Sequence, residues 1–376
     1  MPDRKYWNWE QSDWPHFTFD AAKIEPFEHE FLLKAGICSG TIKHVHGEDK
    51  DFLTVQLISN EALRTSEIEG EILNRESLQS SIRRNFGLAV DNRKIPPAEQ
   101  GIAEMMADLY YHFQAPLSDK ILFCWHDLLM KGRRDLKEIG AYRTDESAMQ
   151  VVSGASHAPK VHFEAPPSKQ MAQEMKAFIS WFNDSGLDGK KPLPPLTRAG
   201  IAHLYFVSIH PFEDGNGRIG RAISEKVLSQ ALNQPTLIAL SQVINARRKH
   251  YYDGLENNNK RNELTDWLLY FAKTILEGQE FTQKTIDLLI NQTKFLDRFK
   301  GQFNPRQEKV VRRLFREEPE GFKGGLSAEN YVRMAETSRA TATRDLQDLV
   351  AKGALKQTGA FKSTRYHLQL DAVKGG

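Results

Sequence analysis

Apolar residues recur along most of the chain at spacings of three and four, the pattern of helices that bury one face. "TVQLISNEALRTSEIEGEILNRESLQSSIRRNF" (54–86) reads as two helices. "DNRKIPPAEQ" breaks the pattern, which resumes through "GIAEMMADLYYHF", "SDKILFCWHDLLMKG" and "SKQMAQEMKAFISWFND", the last opening at a Ser168 cap after Pro166 and Pro167. The stretch "AMQVVSGASHAPKVHFEAP" departs from it. Residues 150–152 and 160–163 are short β-leaning runs around a Gly/Ser/Pro turn, which predicts one hairpin in an otherwise helical domain. From Thr197, "TRAGIAHLYFVSIH" is strongly apolar and predicts a buried helix ending at His210, with a second helix over 218–232. The stretch "HPFEDGNGRIGR" (210–221) is then the loop between two core helices.

Beyond "KGQFNPRQEKV" the pattern changes again. It predicts a short helix over 328–334, a tight turn, a longer helix over 338–352 stopped by Gly353, and two short β-like runs, the order of a winged helix-turn-helix. The fold class is mainly α, with one small hairpin and this terminal module.

At 376 residues the chain exceeds the usual single-core size, so two or three domains are expected. A 40% hydrophobic and 27% charged composition is that of a soluble globular protein. A net charge of only +2 argues against a strong whole-protein field for nucleic acid or membrane. The charge is uneven, however: residues 301–376 hold 14 Lys or Arg against 9 Asp or Glu, a net of +5, which leaves about −3 for residues 1–300. Any nucleic-acid role therefore belongs to the tail. Cys38 and Cys124 lie far apart in apolar settings, which predicts two buried, reduced thiols and a reducing cytoplasm. The polar, aromatic start lacks the apolar core of a signal peptide, and no run approaches the ~18 apolar residues of a membrane span, so a soluble, cytoplasmic protein without a membrane partner is expected.

The loop concentrates the chemistry. A Gly-Asn-Gly turn entering a helix leaves backbone N–H groups pointing outward at the positive end of the helix dipole, an anion site best suited to phosphate. Gly215 and Gly217 allow close backbone approach, and Arg218 and Arg221 can bind phosphate oxygens bidentately. Asp214 sits where a single carboxylate could hold Mg²⁺ beside substrate phosphates. His210, at the end of a buried helix, is a candidate general base. Together they read as a nucleoside triphosphate, a metal, and a base for an incoming hydroxyl.

"HPFEDGNGRIGR" resembles the signature of Fic-domain proteins, His-x-Phe-x-(Asp/Glu)-Gly-Asn-Gly-Arg-x-x-Arg, at every specified position. The resemblance implies a compact helical bundle that transfers AMP from ATP to a Ser, Thr or Tyr hydroxyl of a target protein, or of itself, a protein adenylyltransferase. It implies that His210 deprotonates the hydroxyl and that Asp214 holds Mg²⁺ on the phosphates. Gly215, Asn216 and Gly217 would form the anion cradle, Arg218 support the phosphates, Arg221 take the γ-phosphate, and Phe212 anchor the loop in the core. "GAYRT" (140–144) and the hairpin after it resemble the flap that pins a target segment by strand addition, with Val151, Val152 and Val161. "RRKHYYDGLENNN" resembles the segment closing the adenine pocket, with Asn259 as a base-edge hydrogen bonder and Tyr252 either packing on the base or lying in the core.

In "RTSEIEGEI", Thr65, Glu69 and Gly70 match the (Ser/Thr)-x-x-x-Glu-(Gly/Asn) motif of the family's inhibitory helix. The resemblance implies that Glu69 pairs with Arg221 and occupies the charge the γ-phosphate needs. The aromatic start resembles the N-terminal helical module that precedes this helix in many bacterial Fic proteins, and its Trp and Phe residues are read as packing. The expected domains are 1–95 with the inhibitory helix at about 55–70, a Fic core over 96–300, and the winged helix-turn-helix over 301–376. In the tail, Ser338, Arg339, Thr341 and Arg344 lie on the candidate recognition helix with Lys362 and Arg365 in the wing, opposed by Asp345 and Asp348. DNA binding and protein docking both fit that module, and the family suggests a homodimer. Two further readings stay open: a Fic relative that transfers phosphate or removes AMP, and a DNA-binding regulator whose Fic domain senses a nucleotide.

Overall fold

A computed structural model of the chain describes residues 7–43, 45, 47–154, 159–316 and 325–370. These residues form two compact units, one of residues up to 40 with 51–282, the other of residues 41–50 with 283 onward.

The first unit takes in most of α1 (Ala21–Lys43) and α2 (Gly47–Ile68), then α3 (Arg75–Asn85), α4 (Pro97–His112) and α5 (Asp119–Leu129). A hairpin of β1 (Gln150–Ser153) and β2 (Lys160–Glu164) follows, then α6 (Met171–Asp184), α7 (Pro195–Ile209), α8 (Asn216–Leu232), α9 (Leu240–Ala246), α10 (Arg248–Asn258) and the start of α11 (Thr265–Arg298). The two helices expected within 54–86 are α2 and α3, and the expected buried helix is α7, whose side chains are covered on nearly every side. Its N-terminus is closed by the buried Glu28, which accepts from the Leu196 and Thr197 backbone N–H groups at 2.9 and 2.8 Å. α7 packs along α8, and this pair forms the centre of the core.

Two local expectations are corrected. Ser168 does not cap α6: it opens a short 3-10 turn, Ser168–Gln170, and its hydroxyl donates to the Thr144 carbonyl at 3.3 Å. Cys124 is exposed while Cys38 is buried, and neither is in a disulfide. The apolar neighbours of Cys124 mislead because α5 buries Leu122, Trp125 and Leu129, a three- and four-residue stripe that leaves position 124 outside. No helix among the described residues is long and apolar enough to cross a membrane.

The second unit carries the rest of α11, then α12 (Pro305–Arg316), α13 (Ala328–Ala335), α14 (Arg339–Ala351), β3 (Leu355–Thr358) and β4 (Arg365–Leu368). The order is the one the sequence predicts. Ser327 and Ser338 cap α13 and α14, Gly353 takes the left-handed conformation after α14, and β3 pairs antiparallel with β4. Asp345 does not face solvent beside Arg339 and Arg344. It is buried, bonded by Arg306 at 3.0 Å and by the Tyr331 hydroxyl at 3.0 Å, while Asp348 accepts from Gln307 and pairs with Lys352. The side chain of Lys362 lies outside the described residues.

Candidate active site

The loop between α7 and α8 is held from inside. Phe212 is fully buried and stacks on the His126 ring at 4.1 Å. Asn216 spends its whole side chain on the Phe212 backbone, accepting from its N–H at 3.0 Å and donating to its carbonyl at 2.8 Å. Its part in an anion site can therefore come only through its backbone N–H, at the start of α8. Gly215 takes φ +82°, and a Cβ there would lie 2.8 Å from the Met130 methyl, so both conformation and space require glycine. It is the N-cap of α8 and brings no side chain to close that helix's first turn, which leaves the positive end of the helix open toward the cavity.

His210 takes the left-handed conformation that ends α7, φ 52° and ψ 60°. Arg143, itself buried, secures this unusual backbone by donating from Nε to the His210 carbonyl at 2.8 Å, and a second nitrogen reaches the Pro166 carbonyl. The His210 Nδ1 lies 3.3 Å from the Val207 carbonyl, which assigns the proton to Nδ1 and leaves Nε2 with a lone pair. Burial lowers the imidazole to about 4, so it is neutral at physiological pH.

Glu69 comes from the end of α2. Gly70, at φ +84°, reverses the chain there, a conformation that favours glycine. The Glu69 carboxylate accepts from Arg221 Nη2 at 2.7 Å. Arg221 also donates from Nε to the Thr65 hydroxyl at 2.7 Å and from Nη2 to the Thr65 carbonyl at 2.9 Å. The guanidinium side chain is 2% exposed. Burial alone would lower its pKa, but the Glu69 charge holds it above the ordinary range. A Cβ on Gly217 would fall 2.2 Å from the Glu69 Oε1, so the carboxylate rests directly on this glycine.

Two partners escaped the sequence reading. Glu71, two residues beyond Glu69, pairs with Arg218 at 2.6 Å, so both loop arginines are held by carboxylates flanking Gly70. Arg133 pairs with Asp214 at 2.7 Å, and Arg218 lies 3.6 Å from the same carboxylate. Burial would raise the Asp214 pKa, but Arg133 and Arg218 bring it below the ordinary range. Asp214 thus offers an ionised, partly exposed oxygen donor beside the open helix end, a donor set that fits a hard divalent cation shared with phosphates.

A cavity of about 570 Å³ opens over this loop, bordered by Glu69, His210, Gly217, Tyr252 and Asn259. Tyr252 is 38% exposed and is therefore not a core residue; its hydroxyl lies 3.4 Å from the Ile68 carbonyl. Asn259 is buried and donates to the His162 carbonyl at 3.0 Å, which leaves its Oδ1 without a partner among the described residues. Only its acceptor end is open to a ligand. Val151 and Val152 border the cavity, whereas Val161 packs toward the Trp7–Phe163 cluster. The N-terminal aromatics brace this hairpin: Trp9 Nε1 donates to the Glu164 carbonyl at 2.7 Å and Trp7 packs edge-on against Phe163 at 5.2 Å, while Asn8 ties the same segment to α7 by donating to the Ser208 hydroxyl at 2.9 Å.

With this geometry in place, comparisons with known proteins agree on one family. The Fic/DOC family profile matches residues 116–228, and a domain of unknown function, DUF4172, matches residues 7–88. The "Protein adenylyltransferase Fic" of Drosophila mojavensis is 26% identical over 294 residues, covering 73% of this chain and 53% of that protein, and the protein of the same name from Drosophila melanogaster is 28% identical over 294 residues. The chain spans about half the length of these curated relatives. Among solved structures, a Fic family protein from Desulfovibrio desulfuricans G20 superposes with a TM-score of 0.51 at 19% identity, over 93% of this chain and 97% of that one. A Fic domain containing signaling protein from Bacteroides thetaiotaomicron VPI-5482 gives 0.51 at 16% identity, over 70% of this chain and 98% of that one. The chain is mainly helical with a Fic fold, and its residues 116–228, with the full signature in the loop between α7 and α8, are a Fic/DOC family domain.

Proposed function

We propose that the chain is a self-inhibited protein adenylyltransferase, moving AMP from ATP to a protein hydroxyl. The observation that carries the reading is the Glu69–Arg221 pair resting on Gly217, within a cavity that His210 also borders. A loop whose cations are so arranged has use for several phosphates, and a carboxylate in that position competes for the same guanidinium.

His210 is kept neutral by burial and fixed through Nδ1, so Nε2 takes the proton of an incoming hydroxyl. The first turn of α8 and Arg218 orient the phosphates, and Arg221 receives the terminal one once Glu69 withdraws. Asp214 would hold Mg²⁺, which supplies charge neutralisation on the phosphates when bound. Val151 and Val152 on the short β1 strand present an apolar edge where an extended target segment would pair. Most of the acceleration would come from positioning and electrostatics.

The test is transfer of label from ATP carrying a labelled α-phosphate. Glu69→Gly should label protein strongly, and His210→Ala should cut labelling sharply in either background. Label from the γ-phosphate instead would point to phosphate transfer, and equal labelling by wild type and Glu69→Gly would remove the inhibitory role of Glu69.

A further inference from the structure

The same cavity is bordered by a relay that the proposed reaction does not use. The Ser153 hydroxyl lies 2.6 Å from His162 Nε2, and His162 Nδ1 lies 2.7 Å from Glu256 Oε2. Ser153 ends β1, His162 is on β2 and Glu256 is on α10, so three separate elements converge. All three side chains border the same cavity as Glu69, His210 and Gly217. The order hydroxyl, imidazole, carboxylate is the arrangement that activates an oxygen nucleophile: the carboxylate fixes Nδ1–H, so Nε2 accepts from the hydroxyl. The hydrogen bond from His162 also holds the Glu256 carboxyl below its ordinary range, so it is ionised. Asn259 locks the His162 backbone, and Lys160 lies 3.2 Å from the other Glu256 oxygen. Ser153 itself is exposed, as an acceptor must be.

We propose that Ser153 is a nucleotidyl acceptor within the chain, activated by His162 and Glu256, so that the hairpin modifies itself from the nucleotide bound in the shared cavity. The inference rests on the adenylyl transfer proposed above. In the step, the Ser153 oxygen bonds the α-phosphorus of ATP, the bond from that phosphorus to the bridging oxygen breaks, pyrophosphate leaves with the electron pair, and the hydroxyl proton passes to His162 Nε2. The product carries its nucleotide at the end of β1, beside the valines that would otherwise meet a target segment.

The experiment uses the full chain carrying Glu69→Gly, incubated with ATP and Mg²⁺, digested and mapped by mass spectrometry, with pyrophosphate release followed in parallel. The expected result is an adenylyl adduct on Ser153 that is lost in Ser153→Ala, retained in Ser153→Thr, and reduced at least roughly tenfold in both His162→Ala and Glu256→Gln. A thermal midpoint for each variant separates loss of the relay from loss of the fold. Adducts confined to other residues, or an undiminished Ser153 adduct in both relay variants, overturn the inference while adenylyl transfer stands. Absence of any adduct and of pyrophosphate overturns both.

Discussion

Removing the carboxylates that flank Gly70 one at a time should reveal unequal locks. Arg221 and Arg218 are both buried, 2% and 5% exposed, so place separates their partners: Glu69 borders the cavity and rests on Gly217, whereas Glu71, 37% exposed, is not one of the bordering residues. Unit charges about 4 Å apart interact by about 4 kcal/mol at an effective dielectric of about 20, and the open outer edge of Glu69 cuts this to roughly half. At about 1.4 kcal/mol per tenfold, ~2 kcal/mol of competition against a phosphate corresponds to roughly thirtyfold in rate. Phosphates displaced by ~1 Å would add up to about a hundredfold. With Glu71 more than a third exposed, its pair is set near the upper end of exposed pairs, about 1 kcal/mol, which is about fivefold. Initial rates of pyrophosphate release at saturating ATP should therefore rise by at least about thirtyfold in Glu69→Gly and by no more than about fivefold in Glu71→Gln. Calorimetric titration with ATP would show which part is affinity. A Glu71→Gln rate equal to that of Glu69→Gly would refute the reasoning, because a carboxylate's place at the cavity would then not set the strength of the lock.

Gly217→Ala should carry a sign that depends on Glu69: the new Cβ meets Oε1 at 2.2 Å in the wild type and would destabilise by about 1–2 kcal/mol, but in Glu69→Gly the same change should be neutral or stabilise by up to about 1 kcal/mol as an ordinary helix substitution. Identical shifts in chemical denaturation in both backgrounds would rule this out. Stability should peak near pH 6.5. Burial lowers His126 and His210 to about 4 and His203 to about 3, so unfolding takes up imidazole protons below about 6.5; burial raises Glu61 to about 8 and Glu225 to about 7, so unfolding releases carboxyl protons above about 4.5. Between 4.5 and 6.5 the imidazoles outnumber the carboxyls and stability climbs with pH; from 6.5 to 8 only the carboxyls act, and stability falls by up to about 1.4 kcal/mol per pH unit for each. A steady rise from pH 6.5 to 8 in denaturant titrations, or a fall that survives Glu61→Gln with Glu225→Gln, would contradict those assignments.

How much of this was legible in the sequence depended on how far apart the partners lie. The loop from His210 to Arg221 is one contiguous stretch whose residues meet because they are neighbours, and Asn216 closes it over only four positions. Glu69 meets Arg221 across 152 residues and was found only because a recurring motif marks it. Glu71, 147 residues from Arg218, and Arg133, 81 residues from Asp214, carry no such mark, since a single charge has no period or spacing from which a partner follows. Arg143 was visible inside "GAYRT", but not that it would secure the left-handed backbone of His210. In the second unit, counting Asp345 against the basic face misjudged it, because composition cannot tell a solvent-facing carboxylate such as Asp348 from one turned inward onto Arg306 and Tyr331.

The hairpin shows the same limit within one element. Strict alternation would place Val151 and Ser153 on one face and Val152 on the other. Instead the register slips between Val151, opposite Phe163, and Val152, opposite Val161, so His162 is an extra residue on β2. Such a bulge re-aims side chains. Val151, Val152 and Ser153 all border the cavity, Val161 turns to the Trp7 cluster, and His162 reaches both Ser153 and Glu256. A regular hairpin would keep the valines but lose the relay. Deleting Val161 is therefore a different perturbation from replacing His162: it should restore regular pairing and take the Ser153 adduct away while every residue of the relay is still present.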